Sequence, residues 1–291
     1  MNLDFLLIGA QKCATTWIYH CLNEHPELYV GGGKNETYYY GGEIFKQKGL
    51  DWFESLFADA SADQKLGSAS VDYIWDVASM EQVRKQYPNI KIIAALRNPV
   101  ERTISAFYWL MRKNIIEAKS LEEGIRKAID DYKSGSETIY SELIRRSLYT
   151  DAILKLHENF EKDQIRLVLF DDIQNTPKRT LHGIYSFLNV STDYVPTSLK
   201  RKPKGNSYSS TLVYLERKMP VNPFTTKLLN GISELITISS KTKSPKLEPN
   251  LTQELWDIYK EPFNKLYNWL EENGSTENQT IKKTKKSWKL Q

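Results

Sequence analysis

An apolar strand that runs directly into a lysine and two threonines is the feature of this chain most suited to chemistry. The strand covers Asp4–Ile8, and the heptapeptide Gln11–Trp17 follows it almost at once. The first turn of a helix leaves backbone N–H groups unpaired, and the helix dipole favours negative charge there. Lys12 adds a full positive charge, while Thr15 and Thr16 add short hydrogen-bond donors. The pattern predicts a site for a phosphate-like anion.

The spacing of this loop is close to that of a nucleotide-binding P-loop but departs from it at the lysine. A P-loop reads G-x-x-x-x-G-K-[ST]. Counted from Gly9, the second glycine position holds Ala14 and the lysine position holds Thr15. The lysine itself stands earlier, at Lys12. In nucleoside triphosphatases the lysine and hydroxyl act with Mg²⁺ on the β- and γ-phosphates. The displaced lysine therefore predicts a phosphate-like group that is held in a different way.

A second anion site is predicted where another apolar run ends in an arginine. The run Ile90–Leu96 has the composition of a buried parallel strand, and Pro99 suits the first turn of a following helix. Arg97 therefore lies at the carboxyl end of a strand, the edge where open α/β sheets bind ligands. Ser105 shares a target with Arg97 only if the helix folds back beside that edge. A guanidinium and a hydroxyl together suit a second phosphate.

Together, these two motifs resemble those of sulfotransferases that use 3′-phosphoadenosine 5′-phosphosulfate (PAPS), most of all the bacterial and heparan-sulfate-type enzymes. Gln11–Trp17 resembles the family's 5′-phosphosulfate loop, and Leu96–Ser105 resembles its 3′-phosphate motif. The resemblance covers nearly the whole folded chain and implies PAPS as the sulfuryl donor, with no metal. The nucleotide-binding residues that it implies are Lys12, Cys13, Ala14, Thr15, Thr16, Trp17, Arg97, Ser105, Lys202, Lys204, Gly205 and Asn206.

The same resemblance implies two catalytic residues. Glu36, in a glycine- and tyrosine-rich segment, falls on the family's catalytic base, and Lys12 serves the leaving group. Animal enzymes often carry a second catalytic lysine where this chain has Ala69, which leaves Lys12 as the main cation. Tyr149 falls on a position that lines the active site in relatives. The implied acceptor is a hydroxyl or amine of a carbohydrate or, alternatively, of a small alcohol, phenol, sterol or lipid.

Two other functional classes stay open on the sequence. The run Leu167–Phe170 ends in Asp171 and Asp172, as the Walker B strand of a P-loop kinase or ATPase does. The displaced lysine and Arg97 argue against that class. A non-catalytic nucleotide-binding protein with a degenerate site is the third interpretation, and Glu36 argues against it.

Length and composition favour one domain that binds an anionic small molecule. The 291 residues are 40% hydrophobic and 12% aromatic, which suits a substantial core, and the net charge is only +4. This charge fits a nucleotide ligand rather than a nucleic-acid partner. Cys13 and Cys21 indicate neither a disulfide framework nor a metal site. Since no apolar stretch approaches the ~20 residues that span a membrane, a cytoplasmic location is expected; the sequence leaves the oligomeric state open.

The fold expected from these patterns is α/β: a single domain over residues 1–273 with a central parallel sheet flanked by helices, in a P-loop-like sulfotransferase arrangement. Strands are predicted near residues 4–8, 90–96 and 165–170. Helices are predicted after residue 14, over 51–57, 81–87, 121–132, 149–160, 180–188 and 251–270, and from residue 99. A basic glycine loop over 200–210 and a disordered, lysine-rich tail over 274–291 complete the prediction.

Overall fold

A computed structural model describes residues 1–33, 39–201 and 247–273, together with Trp288. Within these ranges the centre of the fold is a parallel sheet of five strands in the order β2-β3-β1-β4-β5. The strands are β1 Phe5–Leu7, β2 Leu28–Gly31, β3 Lys65–Ala69, β4 Lys91–Leu96 and β5 Ile165–Leu169. The predicted α/β class and central parallel sheet are confirmed.

Helices connect these strands and extend beyond them. They are α1 Thr15–Asn23, α2 Glu43–Ser55, α3 Val77–Gln86, α4 Pro99–Arg112, α5 Leu121–Lys133, α6 Ile139–Arg145, α7 Thr150–Asn159, α8 Phe170–Asn175, α9 Pro177–Leu188 and the long helix Pro249–Glu272. None of the helices in the described part of the chain has both the length and the apolar character needed to cross a membrane.

The chain divides into two compact units. The first comprises Met1–Asn98, Tyr149–Pro203 and Pro262–Gln291 and contains the sheet. The second comprises Pro99–Leu148 and Lys204–Glu261. The limits of the predicted single domain, 1–273, stay a prediction.

The inner strands could be predicted from the sequence because they are buried. Every residue of β1 is buried, and β4 is buried from Ile92 to Leu96. A parallel sheet covered on both faces requires such continuous apolar runs rather than alternation. Helix α5 is readable for a related reason. Its buried Leu121, Ile125 and Ala128 fall on one face, and the Ser120 side chain caps its first turn.

Two strands and two helices, β2, β3, α6 and α8, were missing from the prediction. Strand β3 contains Gly67, a residue that normally argues against a strand. Here the ring of Phe5 on β1 packs over Gly67, and a Cβ at that position would lie 2.1 Å from the ring. A tertiary contact therefore selects the glycine.

The second helix was only half predicted, because the helix over 51–57 was expected to stand alone. In the structure α2 begins at Glu43 and passes through Gly49, whose φ of 80° and ψ of −173° are not helical. Glycine adopts such a conformation without steric cost. The kink at Gly49 separates the first half of α2 from the half that was predicted.

Candidate active site

The two predicted anion motifs leave adjacent strands at the same edge of the sheet. Strand β1 pairs with β4, with Leu7 opposite Ile93. The pairing continues beyond β1, where the Ala10 amide donates to the Ala95 carbonyl at 2.8 Å. The loop that begins at Gln11 and the residue Arg97 therefore both follow the carboxyl ends of neighbouring strands. This is the edge at which open α/β sheets bind ligands.

The loop after β1 has a backbone that is uncommon for residues with side chains. Lys12 and Ala14 have positive φ angles of 71° and 68°. Such conformations typically cost ~1–3 kcal/mol and cluster at ligand-binding turns. Ala14 occupies the position of the second P-loop glycine, where a left-handed residue turns the chain into α1. The shape of a P-loop-like turn is thus kept without its glycine.

The N-terminus of α1 opens onto a small cavity. Ala14 is the N-cap and has no side-chain hydrogen bond to the first turn, so no capping side chain occupies the amides of Thr15 and Thr16. The cavity has a volume of about 140 Å³ and lies at the carboxyl ends of β1 and β3. Its lining residues are Leu7, Thr15, Thr16, Tyr19, Gly33, Ala69, Ser70 and Val71. The arrangement suits an anion that receives backbone and hydroxyl hydrogen bonds.

Thr15 and Thr16, both predicted as anion ligands, are brought together at this cavity. Thr15 is buried and Thr16 is exposed. Ala69 also lies on the cavity wall and contributes only a methyl group there.

Sequence reasoning missed two polar residues of the cavity, Tyr19 and Ser70. Ser70 is buried directly after β3, and its Oγ accepts a hydrogen bond from the Asp72 amide at 3.3 Å. Burial, with the Tyr29 charge as a smaller cause, raises the pKa of Tyr19, so its hydroxyl keeps its proton near neutral pH. Recognition of β3 would have pointed to Ser70, because that residue ends the strand beside β1.

Cys13 supports the loop from behind rather than facing the cavity. Its side chain is fully buried, and its sulfur lies 3.5 Å from the phenolic oxygen of Tyr149. Tyr149 is also fully buried, with Trp75 stacked on its ring and Phe263 against the ring edge. The structure therefore places Tyr149 in the packing behind the loop, and Cys13 can serve an anion only through its backbone.

Trp17 is held in the core next to the loop. Its ring is buried in the first turn of α1, and its Nε1 has no hydrogen-bond partner within the described chain. The indole contributes hydrophobic packing beneath the helix start.

Arg97 lies at the carboxyl end of β4 and is held by an aromatic ring. It is only 9% exposed, and its guanidinium carbon lies 4.1 Å from the centre of the Phe170 ring at the start of α8. Contact between a guanidinium and an aromatic face orients the charged plane while leaving its edge available for planar hydrogen bonding. A guanidinium held in this way suits a phosphate, and the role of Arg97 in binding one stays a prediction.

Ser105 belongs to the second unit, whereas Arg97 belongs to the first. Ser105 is buried in α4, a helix held by a buried polar network. Thr103 Oγ1 lies 2.8 Å from Ser147 Oγ and 2.7 Å from Tyr259 OH, and the Arg102 guanidinium donates to the Leu143 carbonyl at 3.1 Å. This network fixes the rotation of α4 and with it the direction of Ser105.

Several predicted site residues lie outside the described residues, and their roles stay predictions. They are Glu36, Lys202, Lys204, Gly205 and Asn206. Among the residues that the structure does describe, no cluster of histidine, cysteine and carboxylate side chains has the arrangement of a metal site.

The tail predicted to be disordered contains one described residue, Trp288, which is buried. Its Nε1–H donates a hydrogen bond to Asp171 Oδ2 at 3.0 Å. Asp171, which resembled a Walker B acid in the sequence, therefore accepts a hydrogen bond from an indole. The remaining residues of 274–291 lie outside the described ranges.

Comparison with known proteins gives the family. The model of the sulfotransferase domain matches residues 2–267, so the chain belongs to the sulfotransferase family. This result confirms the resemblance drawn from the two motifs and favours a sulfotransferase over a P-loop kinase or ATPase.

Individual relatives are more distant. The chain is 30% identical over 116 residues to the membrane-associated sulfotransferase kil1 of Dictyostelium discoideum, covering 38% of this chain and 24% of that protein. It is 24% identical over 185 residues to mouse heparan sulfate glucosamine 3-O-sulfotransferase 5, covering 64% of this chain and 53% of that protein. The chain thus spans from 24% to 53% of the length of these relatives.

A solved structure supports the fold. The sulfotransferase from Alicyclobacillus acidocaldarius superposes with a TM-score of 0.59 at 23% identity, covering 81% of this chain and 92% of that one. At this identity the similarity concerns the fold alone.

Proposed function

We propose that this protein transfers a sulfuryl group from PAPS to a hydroxyl or amine of an acceptor. The observation that carries the proposal is the pairing of β1 with β4. The uncapped start of α1 follows β1, and Arg97 follows β4, so the two segments predicted to bind anions lie at one sheet edge. A nucleotide with phosphate groups on both its 3′ and 5′ positions matches two such sites.

The residues of the first unit fit the 5′ end of this donor. The first amides of α1, with the hydroxyls of Thr15 and Thr16, would receive the 5′-phosphosulfate beside the charge of Lys12. The cavity of about 140 Å³ next to these hydroxyls is large enough for a tetrahedral anion.

The 3′-phosphate is assigned to Arg97, and the resemblance adds Ser105 to this assignment. The Phe170 ring holds the guanidinium of Arg97 in one plane, which suits paired hydrogen bonds to a phosphate. On the resemblance alone, we assign a basic loop to covering the bound nucleotide. The loop contains Lys202, Lys204, Gly205 and Asn206.

Three kinds of group carry out the proposed reaction: a base, a cation and the fixed dipoles at the start of α1. PAPS supplies an activated sulfuryl group when it is bound. Glu36 accepts the proton of the acceptor hydroxyl on its carboxylate, and such assistance is typically worth ~10²–10⁴-fold in rate. Lys12 neutralises the negative charge that grows on the departing phosphate. The amides and hydroxyls at the start of α1 hold that charge without rearrangement, because they are already oriented.

Charge neutralisation is assigned to Lys12 rather than to a metal ion. A sulfuryl group carries less negative charge than a phosphoryl group, so a single cation suffices at the leaving oxygen. This assignment separates the proposal from a P-loop kinase, where Mg²⁺ is part of the site.

A carbohydrate is the favoured acceptor. Support comes from the mouse relative, whose name specifies heparan sulfate glucosamine. A small alcohol, phenol, sterol or lipid is the alternative, since the cavity has an apolar wall of Leu7, Ala69 and Val71.

Labelled PAPS with a panel of both acceptor classes tests the proposal. We expect label transfer to at least one acceptor, together with release of adenosine 3′,5′-bisphosphate. Hydrolysis of ATP that depends on Mg²⁺, with no transfer from PAPS, would contradict the proposal.

A further inference from the structure

Trp288 is buried in the first unit although the sequence around it is polar and rich in lysine. It is only 2% exposed, and it contacts three side chains that belong to the folded unit. Its ring centre lies 5.6 Å from that of Phe263 and 6.0 Å from that of Tyr267, both on the long helix. Its Nε1–H donates to Asp171 at the start of α8. We refer to these four residues as the Trp288 cluster.

The Trp288 cluster connects to the anion loop through a continuous series of packed rings. Phe263 contacts the Tyr149 ring edge to face, with centres 5.8 Å apart. The hydroxyl of Tyr149 in turn lies 3.5 Å from the sulfur of Cys13. Cys13 stands between the two residues with positive φ, Lys12 and Ala14, so a shift of Cys13 would act on the strained part of the loop.

The Trp288 cluster connects to Arg97 by a second and independent route. Asp171 accepts the indole hydrogen bond, and the preceding residue, Phe170, begins α8. The ring of Phe170 is the surface on which the guanidinium of Arg97 lies. A displacement of Asp171 would therefore act on the first turn of α8, which carries the ring that orients Arg97.

We propose that Trp288 is a positioning residue for the donor nucleotide. The inference rests on the proposed function, in which the anion loop holds the 5′-phosphosulfate and Arg97 holds the 3′-phosphate of that nucleotide. Trp288 touches neither phosphate site. It stabilises the support of both, because close-packed interiors transmit a displacement from one side chain to the next. Its removal should therefore weaken donor binding while leaving acceptor binding unchanged.

Variants of the full chain separate the two routes. Trp288→Phe keeps a ring against Phe263 but removes the hydrogen bond to Asp171, and Trp288→Ala removes both contacts. Trp52→Phe is the matched control, because Trp52 is half-buried on α2, outside the cluster. The probe is adenosine 3′,5′-bisphosphate, with its Kd measured by calorimetry well below the Tm of each variant.

We expect the Kd for this probe to rise in Trp288→Ala by roughly threefold to thirtyfold, the range found for changes along chains of packed side chains. The rise in Trp288→Phe should be smaller, and Trp52→Phe should bind as the unaltered chain does. The donor KM should follow the Kd, whereas the acceptor KM should not change. If Trp288→Ala does not fold, Trp288→Phe alone tests the inference: a raised Kd supports it, and an unchanged Kd contradicts it.

Unchanged probe affinity in folded Trp288 variants, with only a lower Tm, would overturn the inference. Trp288 would then contribute to the stability of the fold and not to donor binding. An equal rise in the donor and acceptor KM would also overturn it. Failure of the unaltered chain to bind the probe would instead refute the proposed function. The two failures are therefore distinguishable in one series of measurements.

Discussion

The sulfur of Cys13 and the phenolic oxygen of Tyr149 lie 3.5 Å apart in the core of the first unit, although 136 residues separate them in the chain. Both side chains are fully buried. The contact joins the loop that follows β1 to the residue that precedes α7. It gives the anion loop a fixed support on the side away from the cavity, which suits a loop with two positive φ angles.

Tyr149→Phe should test this support, because it removes the hydroxyl and keeps the ring. We expect a loss of about 0.5–1.5 kcal/mol in the free energy of unfolding, the usual worth of one hydrogen bond. The donor KM should rise and kcat should change little. Urea denaturation and steady-state kinetics provide the two measurements.

Tyr185→Phe is the control for this experiment. The Tyr185 hydroxyl donates to the Cys21 carbonyl at 2.8 Å, at the far end of α1. Its loss should reduce stability by a similar amount and leave the donor KM unchanged. If both variants change the donor KM equally, the effect is one of general stability rather than of the loop.

Arg97→Ala should remove the site for the 3′-phosphate. Charge-assisted hydrogen bonds contribute about 1.5–3 kcal/mol, so we expect roughly a tenfold to hundredfold rise in the Kd of adenosine 3′,5′-bisphosphate. Arg97→Lys should recover only part of this affinity, because lysine lacks the planar fork and its fit to the Phe170 ring. Calorimetry with adenosine 5′-phosphate as the second ligand gives the comparison. A loss as large for that ligand would refute a role specific to the 3′-phosphate.

Glu36→Gln should abolish proton acceptance while keeping the size of the side chain. We expect turnover to fall by about two orders of magnitude or more, with nearly unchanged affinity for adenosine 3′,5′-bisphosphate. Glu43→Gln, on the exposed first turn of α2, is the matched control and should keep full turnover. Near-normal turnover in Glu36→Gln would show that another residue is the base.

Sulfuryl transfer should survive an excess of EDTA, because the proposal places Lys12 rather than Mg²⁺ at the leaving group. Initial rates with PAPS, measured with and without the chelator, should agree within error. A rate that is lost with EDTA and restored by added Mg²⁺ would contradict the assignment of Lys12.

His157 should make stability depend on pH in the acid range. Burial, with a smaller effect of Lys162, lowers the pKa of His157 to about 4, and its ring lies against Trp269. Since the folded state binds the proton less well than the unfolded state, the stabilisation is complete above the ordinary pKa of 6.5 and is lost progressively as pH falls towards 4. The linkage sets an upper limit of about 3 kcal/mol on this loss.

The pH prediction is checked by urea denaturation of the unaltered chain and of His157→Gln between the two pH values. The variant should show a shallower decline in the free energy of unfolding. His182→Gln, at an exposed position on α9, should decline as the unaltered chain does. Equal slopes in all three proteins would refute the role of His157.

The inner strands and the strongest amphipathic helices followed from the sequence, because local patterns report them. Strands β1 and β4 are continuous apolar runs, and the long helix repeats its apolar residues at helical spacing over most of Pro249–Glu272. Strand β3 escaped notice since its Gly67 is chosen by the ring of Phe5, a residue on another strand. No local pattern contains that information.

The features of the candidate site likewise separate into those that local sequence predicts and those that only tertiary packing reveals. Residue type and spacing were sufficient to predict Lys12, Thr15, Thr16 and Arg97 as anion ligands, because a strand followed by cations and hydroxyls at a helix start is a local signal. Only the tertiary structure placed the two motifs side by side, through the pairing of β1 with β4. It also decided that Cys13 rests on Tyr149 and that Trp288 is buried against Asp171. These contacts join residues more than a hundred positions apart, so the packing of the whole unit selects them rather than any short stretch of sequence.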